Sequence, residues 1–222
     1  MTALNLDRDG AALLNGAALS LLGDLDPLAA RHGRTGPGAR LHGDIALSRL
    51  LADNTVLRDI AVGRRGPRVK PVRAILFDKS PDANWSLGWH QDRTIAVAVR
   101  HEVPGFGPWT IKQGLPHVAP PFGLLEKMLT MRVHIDPVPA ENAPLLIAPG
   151  SHRLGLISEH AIEAVVRSCE IRTCLAERGD VWLYSTPILH ASKRASCAGN
   201  RRVLQIDFSA DPLPPPLKWL GV

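Results

Sequence analysis

The stretch LGWHQDRTIAVAVR, residues 87–100, puts His90 and Asp92 one residue apart at the head of an apolar run. An imidazole nitrogen and a carboxylate oxygen are donors that divalent first-row metals accept. Side chains two apart on a strand project from the same face, so a strand here would aim both donors at one point. Two ligands do not close a site. A third is available in GDVWLYSTPILHAS, where His190 ends an apolar run. Two histidines and one carboxylate are the facial donor set of non-heme Fe(II) oxygenases, which leaves three positions for a chelating cosubstrate and O₂. Arg201 follows His190 by eleven residues at the start of another apolar run. A guanidinium near such a site can hold a cosubstrate carboxylate as a bidentate, charge-assisted pair.

Elements must exist to bring these residues together. From Val72 onward the chain reads as short apolar runs broken by Gly and Pro: VRAILFD, TIAVAVR, LTMRVHID, LLIAPG, DVWLYST and RRVLQIDFS. That pattern predicts a many-stranded sandwich or barrel. Residues 1 to about 65 instead carry helical periodicity. Asp9 is placed to cap a helix through GAALLNGAALSLL, and Asp44 precedes IALSRLLADNTVLRDIAV, with Leu47, Leu50, Leu51 and Leu57 on one face. The Pro- and Gly-rich segment HEVPGFGPWTIKQGLPHVAPPFG is too long for a hairpin and reads as a lid loop over about 100–127. The expectation is one domain over 1–222, with helical support at 1–65 and a β core at 72–210.

Composition narrows the function classes. The 222 residues are 45% hydrophobic and 21% charged, as expected of a globular protein with a sizeable core. The net charge of +5 comes from basic residues scattered along the chain rather than gathered in a stripe, which argues against a nucleic-acid surface and suits attraction of small anions. There is no apolar run of about 18 residues, and MTALNLDRDG has neither a basic n-region nor an apolar h-region. A cytoplasmic protein with no membrane partner is expected. Cys169, Cys174 and Cys197 are odd in number and lack metal-type spacing, so free thiols are expected.

Taken together, WHQD, PGSHR, and LHAS followed at plus eleven by Arg201 resemble the phytanoyl-CoA dioxygenase family of Fe(II)/2-oxoglutarate oxygenases, especially its bacterial members. The resemblance spans about Arg73 to Ala210. It implies a double-stranded β-helix, a cupin-like jelly roll with the N-terminal helices packed on one sheet. It also implies that His90, Asp92 and His190 bind Fe(II), that Arg201 pairs with the distal carboxylate of 2-oxoglutarate, and that Gln91 contacts the same cosubstrate. The implied activity is a dioxygenase that consumes O₂ and 2-oxoglutarate, releases succinate and CO₂, and oxidises a small molecule. Asp92 stands where related halogenases have a small residue, which favours hydroxylation or desaturation.

A second His-x-Asp, His134 and Asp136, lies in MRVHIDP. There Arg132, His134 and Asp136 alternate with the apolar Met131, Val133 and Ile135, just as Arg201 and Gln205 oppose Leu204, Ile206 and Phe208. Each apolar face would pack on helices and each polar face would look into the barrel, so His134 is expected in the pocket wall and not on the metal. Arg132 replaces an aromatic residue common in the family and adds a cation that could meet 2-oxoglutarate, a substrate anion, or simply Asp136. Ala143 follows Asn142 where the family usually has Gly, so that turn should tolerate positive φ less well. Lys112 and Trp109 are expected to contact substrate from the lid, with His117 another lid candidate. Lys79 and Asn84 are expected to shape the entry loop, Trp85 and Trp89 to pack the mouth, and His152 to serve a turn. The substrate expected is small or medium-sized and bears a carboxylate or phosphate. A metal-dependent hydrolase or isomerase on a cupin-like barrel would use the same donors but leave Arg201 without a role, and a non-catalytic small-molecule binding barrel would not need the full triad.

Overall fold

Strict alternation builds the larger sheet. In the computed structural model, which describes residues 3–33, 38–81, 83–196 and 200–222, the elements begin with α1 (Leu6–Asp9), β1 (Ala11–Leu14), α2 (Leu22–His32), β2 (Ala39–Leu41), α3 (Ile45–Leu50), α4 (Val56–Arg65), β3 (Lys70–Lys79), β4 (Leu87–His90) and β5 (Ile95–Ala96). They continue with β6 (Trp109–Lys112), β7 (Leu115–Val118), α5 (Phe122–Glu126), β8 (Leu129–His134), β9 (Leu145–Ile147), α6 (Ile162–Ser168), β10 (Arg172–Cys174), β11 (Val181–Ser185), β12 (His190–Ser192) and β13 (Arg201–Ser209). An antiparallel six-stranded sheet has the order β1, β11, β8, β13, β3, β2, and a four-stranded sheet the order β10, β9, β12, β4. These are the two walls of a jelly roll.

Parity assigns each wall its contents. On β8 and β13, Met131, Val133, Leu204, Ile206 and Phe208 are buried with Leu25, Leu28, Leu47, Leu50 and Leu57 of α2, α3 and α4, so the helices cover the outer face of the larger sheet as expected. The inner face presents Trp182, Tyr184 and Val203 to Leu145 and Ile147 of the smaller sheet. Asp44 caps α3 by accepting from the Leu47 amide at 3.0 Å. No helix among the described residues is long and apolar enough to cross a membrane. Cys169 and Cys174 are free thiols; Cys197 lies outside the described residues.

Three expectations change. GAALLNGAALSLL is not one helix capped by Asp9: Asn5 caps the short α1 by accepting from the Asp7 and Arg8 amides, and Asp9 is that helix's last residue. Gly10, at φ 77°, then turns the chain so that Ala11–Leu14 pair with Tyr184–Val181 as an edge strand. Tertiary pairing has overridden the helical pattern of two alanines and two leucines. The lid segment is also more ordered than a loop. It contains the β6–β7 hairpin, which joins β5 in a three-stranded sheet; Val118 of the hairpin is buried with Leu125 of α5, Met128, and Leu213 and Leu217 of the C-terminal segment. Finally, β4 ends at His90, so Asp92 lies just past the strand and not within it.

Candidate metal centre and cosubstrate pocket

The two histidines are cross-strand partners. β12 pairs with β4 so that His190 faces His90 directly, and the ring centroids lie 4.2 Å apart. His90 Nδ1 is 2.7 Å from the Gly88 carbonyl and His190 Nδ1 is 3.0 Å from the Ile188 carbonyl. A carbonyl only accepts, so each Nδ1 carries the proton and each Nε2 keeps its lone pair for a ligand. Burial, reinforced by the neighbouring His90, pushes His190 down to about 4, which keeps that lone pair free at neutral pH.

Asp92 reaches the same point by a different route. Gln91 is buried, and its side chain donates to the carbonyls of Gly155 at 3.0 Å and Pro187 at 2.9 Å while accepting from the Ile157 amide at 2.9 Å. These bonds pin the chain as it leaves β4 and swing Asp92 back beside the histidines. Donor atoms of His90, Asp92 and His190 all lie within 4.8 Å of one another. Burial opposes ionisation of Asp92, but Arg73 and the two histidines outweigh it and hold the carboxyl below its ordinary value. Its Oδ2 is a buried oxygen without a hydrogen-bond donor, 3.5 Å from Arg73 Nη2. A neutral-nitrogen, carboxylate-oxygen set with a spare buried anionic lone pair fits a divalent first-row metal.

Arg73 and Asp207 were not among the expected site residues. Arg73 Nε donates to Asp207 at 2.5 Å and its Nη1 to the Thr94 carbonyl at 3.2 Å, so one guanidinium braces Asp92 from behind. Asp207 also accepts from Thr130 Oγ1 at 3.0 Å. Both lie on inward faces that sequence alternation could have identified: Arg73 with Ile75 and Phe77, and Asp207 with Arg201 and Gln205.

A cavity of about 900 Å³ opens beside this cluster, lined by Arg132 and Arg201 among others. Arg201 pairs across β13 with Lys79 of β3 and donates through Nη1 to the Ala143 carbonyl, leaving its buried Nε without a partner. Burial and the nearby Arg132 lower the Arg201 guanidinium to about 9. Arg132 Nη1 donates to Gln205 Oε1 at 2.9 Å, and its own Nε is likewise buried without an acceptor. Its cationic end lies 5.1 Å from the Phe77 ring centre. The site is therefore short of negative charge where these arginines meet.

The remaining expected residues fall into place or out of it. Asp136 does not meet Arg132: the chain turns after β8, and Asp136 accepts from Arg202 on the helix side at 2.6 Å. His134 is buried on the inner face beside Arg132 and Arg201, is pushed down to about 3 by burial, and is not among the cavity-lining residues. Gln91 lines the cavity, but its amide is spent on the backbone bonds above. Lys112 lines the cavity and donates to Thr94 Oγ1 at 3.1 Å. Trp109 packs in the C-terminal cluster with its ring 5.4 Å from the Arg100 guanidinium, away from the cavity wall. His117 is fully buried on β7. Lys79 donates to the Lys193 carbonyl at 2.7 Å and Asn84 bonds both backbone groups of Ala195, so each ties down the entry segment. Trp85 and Trp89 line the mouth, and the His152 ring lies against Gly10, filling the space a Cβ there would need.

A model of the family described as phytanoyl-CoA dioxygenase (PhyH) matches residues 39–203. No curated protein sequence matches the chain. Among solved structures, the fold is similar to EctD from S. alaskensis with 2-oxoglutarate and 5-hydroxyectoine, at 19% identity and TM-score 0.68 over 98% of this chain and 77% of that one. It is similar to HygX from Streptomyces hygroscopicus with nickel, 2-oxoglutarate and hygromycin B, at 15% identity and TM-score 0.62 over 92% and 84%. It is also similar to SnoN, a non-heme α-ketoglutarate-dependent epimerase from nogalamycin biosynthesis, at 16% identity and TM-score 0.63 over 95% and 87%.

Proposed function

The chain belongs to the phytanoyl-CoA dioxygenase family, and on that premise we propose that it is an Fe(II)/2-oxoglutarate-dependent dioxygenase that hydroxylates a small anionic metabolite. The observation that carries this reading is the convergence of His90, Asp92 and His190 beside an arginine pair with unsatisfied buried donors. When bound, Fe(II) with 2-oxoglutarate and O₂ supplies an oxidative decarboxylation, giving succinate and CO₂, that is coupled to oxidation of a substrate C–H bond.

The chain's own residues do the holding and orienting. His90 and His190 present Nε2, each locked in one tautomer by a backbone carbonyl. Asp92 contributes the anionic ligand, and Arg73 fixes its direction while leaving lone pairs free. Arg201 takes the distal carboxylate of 2-oxoglutarate in a charge-assisted pair, with Arg132 adding a second cation. Phe77 of the larger sheet and Leu145 of the smaller one line the cavity from opposite walls and reduce water access, so these pairs act in a lower effective dielectric than bulk water.

Visible spectroscopy under anaerobic conditions tests the reading. Fe(II) plus 2-oxoglutarate should give a weak charge-transfer band in the wild type, and His90→Ala, Asp92→Ala and His190→Ala should each remove both the band and 2-oxoglutarate turnover to succinate. His134→Ala should keep the band. Loss in His134→Ala with retention in His90→Ala would overturn the ligand assignment.

A further inference from the structure

The cations around the cavity fall into two groups. Arg201 and Arg132 line one part of it and are assigned to 2-oxoglutarate, while Lys79, opposite Arg201, donates to the Lys193 carbonyl. Arg40 and Lys112 form a second group: both line the cavity with Arg73 and Asp92, and Lys112 and Arg73 both donate to Thr94. Arg40 is on β2, directly opposite Ile75 of β3. Directly paired residues share a face, so Arg40 points inward with Ile75, and both line the cavity. Lys112, at the end of β6, donates to the hydroxyl of Thr94, two residues beyond Asp92.

The two cations are held facing the same space. Gln113, next to Lys112, accepts from the Arg40 amide at 2.9 Å and donates to the Gly38 carbonyl at 2.7 Å. One side chain thus ties the edge strand of the large sheet to the tip of the β6–β7 hairpin. Among the described residues no carboxylate lies within 4.0 Å of either cation, and Arg40 Nε is buried without an acceptor. Arg73 is already neutralised by Asp207 and Asp92. Glu159 and Glu163 also line the cavity but are exposed and paired with Arg93 and Arg167, so they do not balance the pair either. Half-buried, convergent cations without an anion are costly unless a ligand supplies one.

We infer that Arg40 and Lys112 are the recognition subsite for a substrate oxyanion, a carboxylate or phosphate monoester, held beside the Asp92 side of the metal centre. The inference rests on the dioxygenase reading and adds to it the residues that select the substrate. Because Lys112 reaches Thr94, the anion sits close to the ligand set, and the C–H bond oxidised lies only a few bonds from it. Two cations suit one oxyanion and not the several phosphates of a coenzyme A thioester.

Calorimetry on the anaerobic Fe(II)·2-oxoglutarate protein tests this, because 2-oxoglutarate then already occupies Arg201. The probes are butanoate and ethyl phosphate. At least one should bind the wild type, and the tighter of the two identifies the anionic group. Arg40→Gln and Lys112→Met should each weaken that binding about tenfold or more, as expected for loss of a charge-assisted contact, whereas Arg40→Lys should retain most of it and so report on folding. Binding of neither probe, or equal binding in the charge-removed variants, overturns the subsite. A wild type that forms no charge-transfer band with Fe(II) and 2-oxoglutarate would instead overturn the dioxygenase reading, so the two failures are distinguishable.

Discussion

Neighbouring arginines on β13 have opposite surroundings. Arg201 faces the cavity with a buried donor to spare. Arg202 faces the helices, bound to Asp136 at 2.6 Å and to Asp26 of α2 at 3.0 Å. Arg201→Ala should therefore raise the 2-oxoglutarate requirement by about 10- to 100-fold, the equivalent of the ~1.5–3 kcal/mol of a charged hydrogen bond. Arg202→Ala should leave it unchanged and cost stability alone. Titration of the charge-transfer band with 2-oxoglutarate separates them, and an inverted result would mean a register slip of one residue. Lys79 offers a pH test at the same scale. Burial, with Arg201 and Arg132 beside it, lowers its ammonium from 10.5 to about 7. Between those values the unfolded chain binds a proton that the folded chain releases, so Lys79 costs stability progressively as pH falls from about 10.5 to about 7, and no further below that. Compared with Lys79→Met, wild type should gain relative stability as pH rises through this window. A flat difference across it in denaturant melts would refute the assignment.

At the scale of elements, the turn between β8 and β9 stores strain where the site needs it. Ala143 adopts φ 50°, a left-handed conformation that costs an alanine about 1–2 kcal/mol. That conformation directs its carbonyl to Arg201. The shape expected for a glycine is thus kept, and the penalty is carried by the fold. Ala143→Gly removes the strain but frees the unfolded chain by about 0.5–1 kcal/mol, so a net gain of up to about 1 kcal/mol is expected in urea melts, with 2-oxoglutarate affinity preserved. Destabilisation by the glycine would show that the turn is not strained. The β6–β7 hairpin is the other informative element. Its Pro and Gly content suggested a lid loop, whereas Val118 anchors it in an apolar cluster shared with Val72, Ile95, Leu125, Met128, Leu213 and Leu217, and Lys112 lines the cavity.

For the molecule as a whole, we propose that the 222 residues fold as one unit, because the helical segment and the β core share a single apolar cluster in which Leu47 and Leu57 meet Met131 and Phe208. Ligand at the centre should then stabilise everything together. A ligand at about 100 times its Kd adds ~2.7 kcal/mol, and in a chain of this size each kcal/mol is worth about 2–4 °C. Ni(II) with 2-oxoglutarate should raise Tm by roughly 5–10 °C in a single transition, and a chelator should reverse it. An equal rise in Asp92→Ala, or two separate transitions, would contradict this picture.

Much of this protein was legible in the residues alone, because alternation has a period of two and leaves its mark locally. Arg201 and Gln205 opposed to Leu204, Ile206 and Phe208 announced both an inner polar wall and an outer face for helices, and the parity survived in the fold. The metal donors and the arginine at plus eleven were legible as residue types at suggestive spacings. What spacing could not decide was any placement that depends on partners distant in sequence. Asp92 turns toward the histidines past the end of its strand because Gln91 is anchored to residues 155, 157 and 187. Asp136 leaves the pocket because Arg202 and helix α2 are across from it. Ala11–Leu14 form a strand because β11 has an open edge to pair. Alternation marks Arg73 and Asp207 as inward-facing, but which charges are paired there, and that Arg40 is left without an acceptor for its Nε, is decided only when folding brings distant partners together and removes water.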